Sequence, residues 1–269
     1  MYTINLPDFD LEQIARSGQC FRLVPRKNEK EVYQLIAKNR YLELFQTGNT
    51  LTLSCDEEEW NAIWSSYFDS DRDYGMIKSS IDQNDTYLQK ASGMGWGIRI
   101  LNQDVWEMII TFIISQQNNI PRIRKCVEAI CKKYGEKHQN FRGEFYYAFP
   151  TPETLAKASE QELRELNLGY RSKYLVKTAQ MIVLKEVDLL GLPSMSYVEA
   201  KKEVMKLFGV GVKVAECICL FGLHHVEAFP IDTHIQKVLK EHYPSGFPYE
   251  RYEGYAGILQ QYMFYQDLF

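Results

Sequence analysis

The sequence predicts an α+β chain, with an antiparallel β-sheet region over residues 1–93 followed by an all-helical region over residues 94–269. Three observations carry that reading. Short runs of alternating apolar and polar residues fill the first sixty positions, which is the period of half-buried strands. The composition shifts near residues 75–95. Beyond that point the apolar positions recur at helical spacing and the breaks fall at capping residues.

In chain order, Val32 to Ala37 and Tyr41 to Gln46 alternate as strands do, and the turn Gly48-Asn49-Thr50 leads into Leu51 to Cys55. Such a meander has one solvated face. Asp56 to Glu59 open a helix, because acidic side chains favour its positive N-terminal end. Val105 to Ser115 is apolar and ends at Gln116-Gln117-Asn118-Asn119. Ile120 to Tyr134 is amphipathic, with Ile123, Val127, Ile130 and Cys131 on one face and Arg122, Arg124, Lys125, Lys132 and Lys133 on the other. Thr151-Pro152 starts a helix with a cap and a first-turn proline. Ser159 and Glu162 have the spacing of a capping box. Tyr197 to Lys206 and Val212 to Phe221 are helices separated by Leu207 to Gly211. A further helix begins after Pro230-Ile231-Asp232, and Gly257 to Phe269 forms the last.

The composition excludes several classes. With 269 residues, 45% of them apolar and 25% charged, the chain is neither disordered nor collagen-like nor a coiled coil. Six cysteines form no CxxC pair and no four-cysteine loop, so zinc ribbons and iron–sulfur clusters are not expected. The N-terminus lacks the basic head and apolar run of a signal peptide, and no stretch is long enough to span a bilayer. Those features point to an intracellular setting with reduced thiols, the cytoplasm or nucleoid if the source is prokaryotic. A net charge of -4 argues mildly against nucleic acid as a partner.

The segment Leu207-Phe208-Gly209-Val210-Gly211-Val212-Lys213 changes that balance. Its two glycines permit a tight turn between helices, and the next helix presents amide groups that favour an anion such as a phosphodiester. An ordinary turn would satisfy the same residues. Lys213 falls in the first turn of that helix, where the dipole disfavours a protonated amine and desolvation would make it a nucleophile; a plain surface lysine is the alternative. Asp232, nineteen residues later, is placed to cap the following helix and needs no other role when read alone.

Together, Gly209-Val210-Gly211-Val212-Lys213-Val214-Ala215-Glu216-Cys217-Ile218-Cys219-Leu220 and Pro230-Ile231-Asp232-Thr233-His234 resemble the helix-hairpin-helix DNA glycosylase superfamily, in its 8-oxoguanine branch, with the hairpin at about 197–223. Other segments extend the likeness across most of the chain. Ser17-Gly18-Gln19-Cys20-Phe21-Arg22 resembles the family's SGQxFRW, Leu166 to Arg171 resembles LGLGYR, and Tyr255 to Asp267 resembles its last helix.

The resemblance implies a TBP-like N-terminal sheet and a set of roles. Lys213 would be the nucleophile and Asp232 the stabiliser of positive charge at the sugar. Gly18 would offer its carbonyl to the N7–H that distinguishes 8-oxoguanine from guanine. Gln260 would meet the Watson–Crick edge of the flipped base, with Phe264 and Cys217 on its two faces. Gln117 and Asn118 would enter the minor groove at the lesion; Gln117 stands where the family has an asparagine. Arg122 and Arg171 would contact the opposite cytosine, and Tyr170 would wedge into the stack. His234, oriented by Asp267, would hold a phosphate, as would the hairpin amides around Gly209 and Gly211. A structural cation on the carbonyls of Phe208, Val210 and Gly211 is a family feature, and the chemistry requires no cofactor.

The function so implied is a bifunctional glycosylase and lyase that removes 8-oxoguanine from duplex DNA opposite cytosine, acting as a monomer. The rivals are a glycosylase for another damaged base, which in this superfamily typically lacks the lysine, and a non-catalytic DNA-binding protein. The acidic net charge then predicts weak non-specific binding with a shallow salt dependence.

Overall fold

The structure, a computed structural model, describes residues 1–269 apart from the side chain of Lys30. Five strands form one antiparallel sheet: β1 (Tyr2–Asn5), β2 (Leu23–Arg26), β3 (Glu29–Ala37), β4 (Arg40–Thr47) and β5 (Thr50–Leu53), in the order β1-β5-β4-β3-β2. The three predicted strands are its centre. β1 and β2, each of four residues, lie at the two edges. Register places Leu35 opposite Leu42 and Leu44 opposite Leu53, all at most 1% exposed.

That inner face packs on α1 (Leu11–Arg16) and on a helical run made of α2 (Glu57–Glu59), a π-turn over Trp60–Trp64 and α3 (Ser65–Tyr67). Asp56 caps the run, accepting from the Glu59 N–H at 2.8 Å. Phe9, Trp60, Trp64 and Phe68 fill the space between sheet and helices.

The remaining helices are α4 (Tyr74–Ser79), α5 (Thr86–Met94), α6 (Val105–Ser115), α7 (Ile120–Tyr134), α8 (Pro152–Ala156), α9 (Glu160–Glu165), α10 (Arg171–Val183), α11 (Tyr197–Val204), α12 (Val212–Phe221), α13 (Thr233–His242) and α14 (Ala256–Leu268). They surround a second core around α6 and α12, which are apolar on nearly every side because helices cover them all round. Thr151 and Ser159 cap their helices as the sequence indicates, and Ser196 caps α11; the two serines do so in complete capping boxes.

One feature differs from the sequence expectation. The region beyond residue 94 is not all-helical: β6 (Lys137–Gln139) and β7 (Phe145–Tyr147) pair as a hairpin. Three-residue strands carry too little periodicity to be read from sequence. Of the helices over 74–94 that flank the sheet region, Tyr74, Ile81, Leu88 and Ala91 are buried in the helical core, and α5 packs on α14. Among the described residues no helix is long and apolar enough to cross a membrane.

Candidate active site

A cavity of about 850 Å³ opens between the sheet-bearing region and the helical region. Its wall includes Gly18 from the segment between α1 and β2, Phe112 of α6, Gln117 and Asn118 of the following loop, Gly211 and Lys213 of α12, Asp232 and His234 of α13, and Phe264 of α14. Residues 214 positions apart in sequence (Gly18 and Asp232) therefore meet at one wall-to-wall space.

The Gly18 side is fixed by Gln19, whose side chain is fully buried. Its amide donates to the Arg99 carbonyl at 2.9 Å and accepts from the Leu101 N–H at 2.8 Å. Gln103 in turn donates to the Gln19 carbonyl at 2.8 Å. Arg22 anchors the other end, donating to Glu128 of α7 at 2.8 Å and to the Tyr147 carbonyl at 2.6 Å. Nothing in the local pattern of Gln19 or Arg22 announces these long-range partners.

Lys213 is half-buried in the first turn of α12, with Nζ 5.7 Å from the centre of the Phe112 ring. Cys217 follows one turn on, only 3% exposed, and burial raises its thiol pKa against the opposing pull of Lys213. Asp232 caps α13 by accepting from the Ile235 N–H at 2.9 Å, which fixes one carboxylate oxygen.

His234 Nδ1 lies 2.7 Å from Asp267 Oδ2, and Lys237 Nζ donates to Oδ1 of the same carboxylate at 2.8 Å. Burial alone would raise the Asp267 carboxyl, but the hydrogen bonds from Lys237 and His234 outweigh it and hold the group below its ordinary value. The His234 ring meets Phe264 edge to face at 5.4 Å. Gln260 does not line the cavity. It is 2% exposed, donates to the Pro230 carbonyl at 3.0 Å, and leaves its own oxygen buried without a partner.

With this geometry in place, known proteins supply a context. Residues 1–109 match the 8-oxoguanine DNA glycosylase N-terminal domain, and residues 110–250 match the HhH-GPD superfamily of base excision DNA repair proteins. The chain belongs to this family. It is 39% identical to the N-glycosylase/DNA lyase of Saccharomyces cerevisiae, over 89% of this chain and 70% of that one. The Clostridium acetobutylicum 8-oxoguanine glycosylase/lyase, solved with double-stranded DNA carrying cytosine opposite 8-oxoG, superposes with a TM-score of 0.90 at 37% identity, covering 97% of this chain and 92% of that one. MBOgg1 with a low-affinity DNA ligand gives a TM-score of 0.92 at 33% identity, covering 99% and 94%.

Family membership also puts weight on Tyr170, Arg171 and Arg122, which lie outside the cavity wall, and on the 116–119 loop, which is part of it. Tyr170 is 41% exposed, and the Arg171 guanidinium lies 4.6 Å from its ring centre. Arg171 itself is 4% exposed. It donates to the carbonyl of Gln116 through Nε at 2.9 Å and again through Nη2, and to the carbonyl of Gln117 at 3.0 Å. It thus holds the 116–119 loop, where Gln117 has φ +48°. Arg122 is exposed and donates to the Asn167 carbonyl at 3.2 Å, and Asn118 donates to the Ile114 carbonyl at 3.0 Å.

Gln116, which sequence reasoning passed over, donates to the Gly209 carbonyl at 3.0 Å and so ties that loop to the hairpin. Gly209 is required on two counts: φ is +86°, and a Cβ would lie 2.6 Å from the Tyr174 ring. Gly211 is the N-cap of α12 and has open space around it.

A cation on the hairpin carbonyls fits in part. The Phe208 oxygen accepts from Thr178 at 2.9 Å and the Gly211 oxygen from the Ala215 N–H at 2.9 Å. Each carbonyl retains a second lone pair. Among the described residues no group of three His, Cys, Asp or Glu side chains is placed to hold a metal. The six thiols are free and buried.

Proposed function

We propose that the protein is a DNA glycosylase and abasic-site lyase that removes 8-oxoguanine, opposite cytosine, from duplex DNA. The observation that carries this reading is the meeting of Lys213 and Asp232 at one cavity that Gly18 and Phe264 also line. A base taken out of the stack enters that space. Phe264 borders one face of it and the Gly18 carbonyl accepts from N7–H; Cys217 and Gln260, buried behind the cavity wall, reach the base when side chains of the wall shift. Guanine presents a lone pair there instead, so two acceptors would oppose each other.

Neutral Lys213 forms a bond to C1′ as the C1′–N9 bond breaks and its electron pair leaves with the base. Asp232 stabilises the positive charge that develops on the sugar. Ring opening gives a Schiff base, and loss of a C2′ proton then expels the 3′ phosphate. His234 with Asp267 and the amides around Gly209 and Gly211 bind backbone phosphates. Gln117, Asn118 and Tyr170 fill the space left in the duplex, and Arg122 and Arg171 belong to the side facing the opposite base. A cation on the carbonyls of Phe208, Val210 and Gly211 would brace the hairpin and take no part in the chemistry. The protein acts as a monomer in the compartment that holds DNA, the cytoplasm and nucleoid if the source is prokaryotic.

Borohydride reduction with a duplex containing 8-oxoguanine opposite cytosine tests the reading. A covalent adduct forms with the wild-type protein. Lys213→Gln abolishes it while duplex binding stays within a few-fold. An adduct with that variant, or none with wild type, overturns the assignment.

A further inference from the structure

We propose that Glu216 is a positioning residue that sets the loop carrying Asp232 against the helix carrying Lys213. The inference rests on the roles given above to those two residues. Glu216 lies on α12, three residues after Lys213, and is 6% exposed. Its carboxylate collects partners from two further elements. From α11, the Tyr197 hydroxyl donates at 2.8 and 2.7 Å to its two oxygens, and Lys201 pairs with it. From the segment before α13, the Phe229 backbone N–H donates at 3.1 Å to Oε2.

The Phe229 contact matters most, because Phe229 stands three residues before Asp232. Between them Pro230 has a fixed φ, and its carbonyl accepts from Gln260. Asp232 ends the segment as the cap of α13. A link of four residues held at Phe229, Pro230 and Asp232 has little freedom, so the height of Phe229 on α12 determines where the Asp232 carboxylate stands relative to Lys213. A buried ion pair is weak evidence of a stabilising purpose, since apolar residues of similar volume serve as well or better. An acceptor for one specific backbone N–H is something an apolar residue cannot supply.

That distinction gives the test. In a Tyr197→Phe/Lys201→Met background, which removes the other two partners, Glu216→Gln keeps an acceptor for Phe229 and Glu216→Leu does not. Single-turnover excision from an 8-oxoguanine duplex is measured with KM and thermal midpoint. The Gln variant keeps kcat within about twofold of its parent background. The Leu variant loses about tenfold or more in kcat, as small misplacements of reacting groups do, with KM unchanged. Equal kcat for the two overturns the inference, as does a loss shared equally between kcat and KM. Should the Leu variant not fold, Glu216→Asp in the wild-type chain draws the carboxylate back by one methylene. It lowers kcat at unchanged KM, and wild-type kcat would overturn the inference. Wild-type adduct formation in parallel separates this outcome from failure of the assigned activity.

Discussion

Gly18 faces the edge of Phe264 so closely that a Cβ there would lie 3.1 Å from the ring's Cε1, on a backbone with φ +77°. Gly18→Ala therefore meets two penalties. The left-handed conformation costs an L-residue about 1–2 kcal/mol. The methyl also pushes Phe264 across the space between them. The expected result is a lower denaturation midpoint and a loss of excision that exceeds the loss of duplex affinity. Equilibrium unfolding and single-turnover kinetics on the same preparation check it.

Arg171 is a support for the 116–119 loop. Arg171→Met leaves the carbonyls of Gln116 and Gln117 without their buried donor. Loss of hydrogen bonds to a charged group predicts destabilisation of roughly 2–4 kcal/mol. Because Gln117 is held at φ +48° only by its surroundings, duplex affinity falls as well. Denaturant titration and a binding isotherm read the two effects. Unchanged stability would show that the guanidinium is free rather than engaged.

Glu107 of α6 gives the fold a pH dependence of defined sign. Burial raises its carboxyl to about 7, and Arg22, the main opposing influence, only partly offsets that rise. A carboxyl raised in the folded state stabilises it fully below the unfolded value of 4.5, and that contribution is lost as pH rises through about 7. Glu107→Gln is thus near neutral at the acid end and stabilising by up to about 3 kcal/mol above the window. The difference in unfolding free energy between wild type and variant, measured across that range, checks the sign.

The net charge of -4 predicts that duplex binding weakens only gently with salt. Two cations that look available in sequence are engaged: Arg171 as above, and Arg124, which donates to the Ala15 carbonyl at 2.7 Å. Each phosphate contact contributes about 0.9 to the slope of log K against log salt, and a slope no steeper than about −4 is expected. Lys237, one turn from His234 and 58% exposed, pairs with Asp267 yet leaves its ammonium open to a phosphate on the solvent side. Lys237→Gln should reduce the slope by about 1. Binding isotherms at several salt concentrations check both statements.

The helices and their ends were largely legible because their causes are local. Asp56, Thr151, Ser159 and Ser196 cap within three residues of themselves, and α6, α7 and α12 have the predicted bounds. The residues around the cavity, Gly18, Lys213, Asp232, His234 and Phe264, were named from motif likeness and do converge. The β6–β7 hairpin escaped because its strands are three residues long. Gln116, Glu216 and Lys237 escaped because their partners lie 93, 13 and 30 residues away, with no periodicity linking them.

The sequence by itself determined the order of sheet and helices, the hairpin turn at Gly209 and the residue types able to perform the chemistry. Those follow from backbone preference and from side-chain functional groups, both carried within a few positions. The tertiary structure decided which charges remain for a ligand and which are consumed inside. Arg171, Arg124 and Glu216 are all ionisable residues on helices in sequence. Only the folded chain shows that buried carbonyls, and in Glu216's case an N–H, a hydroxyl and an ammonium, have claimed them. Buried backbone polar groups must be paired, and the nearest charged side chain in space, not in sequence, meets that requirement.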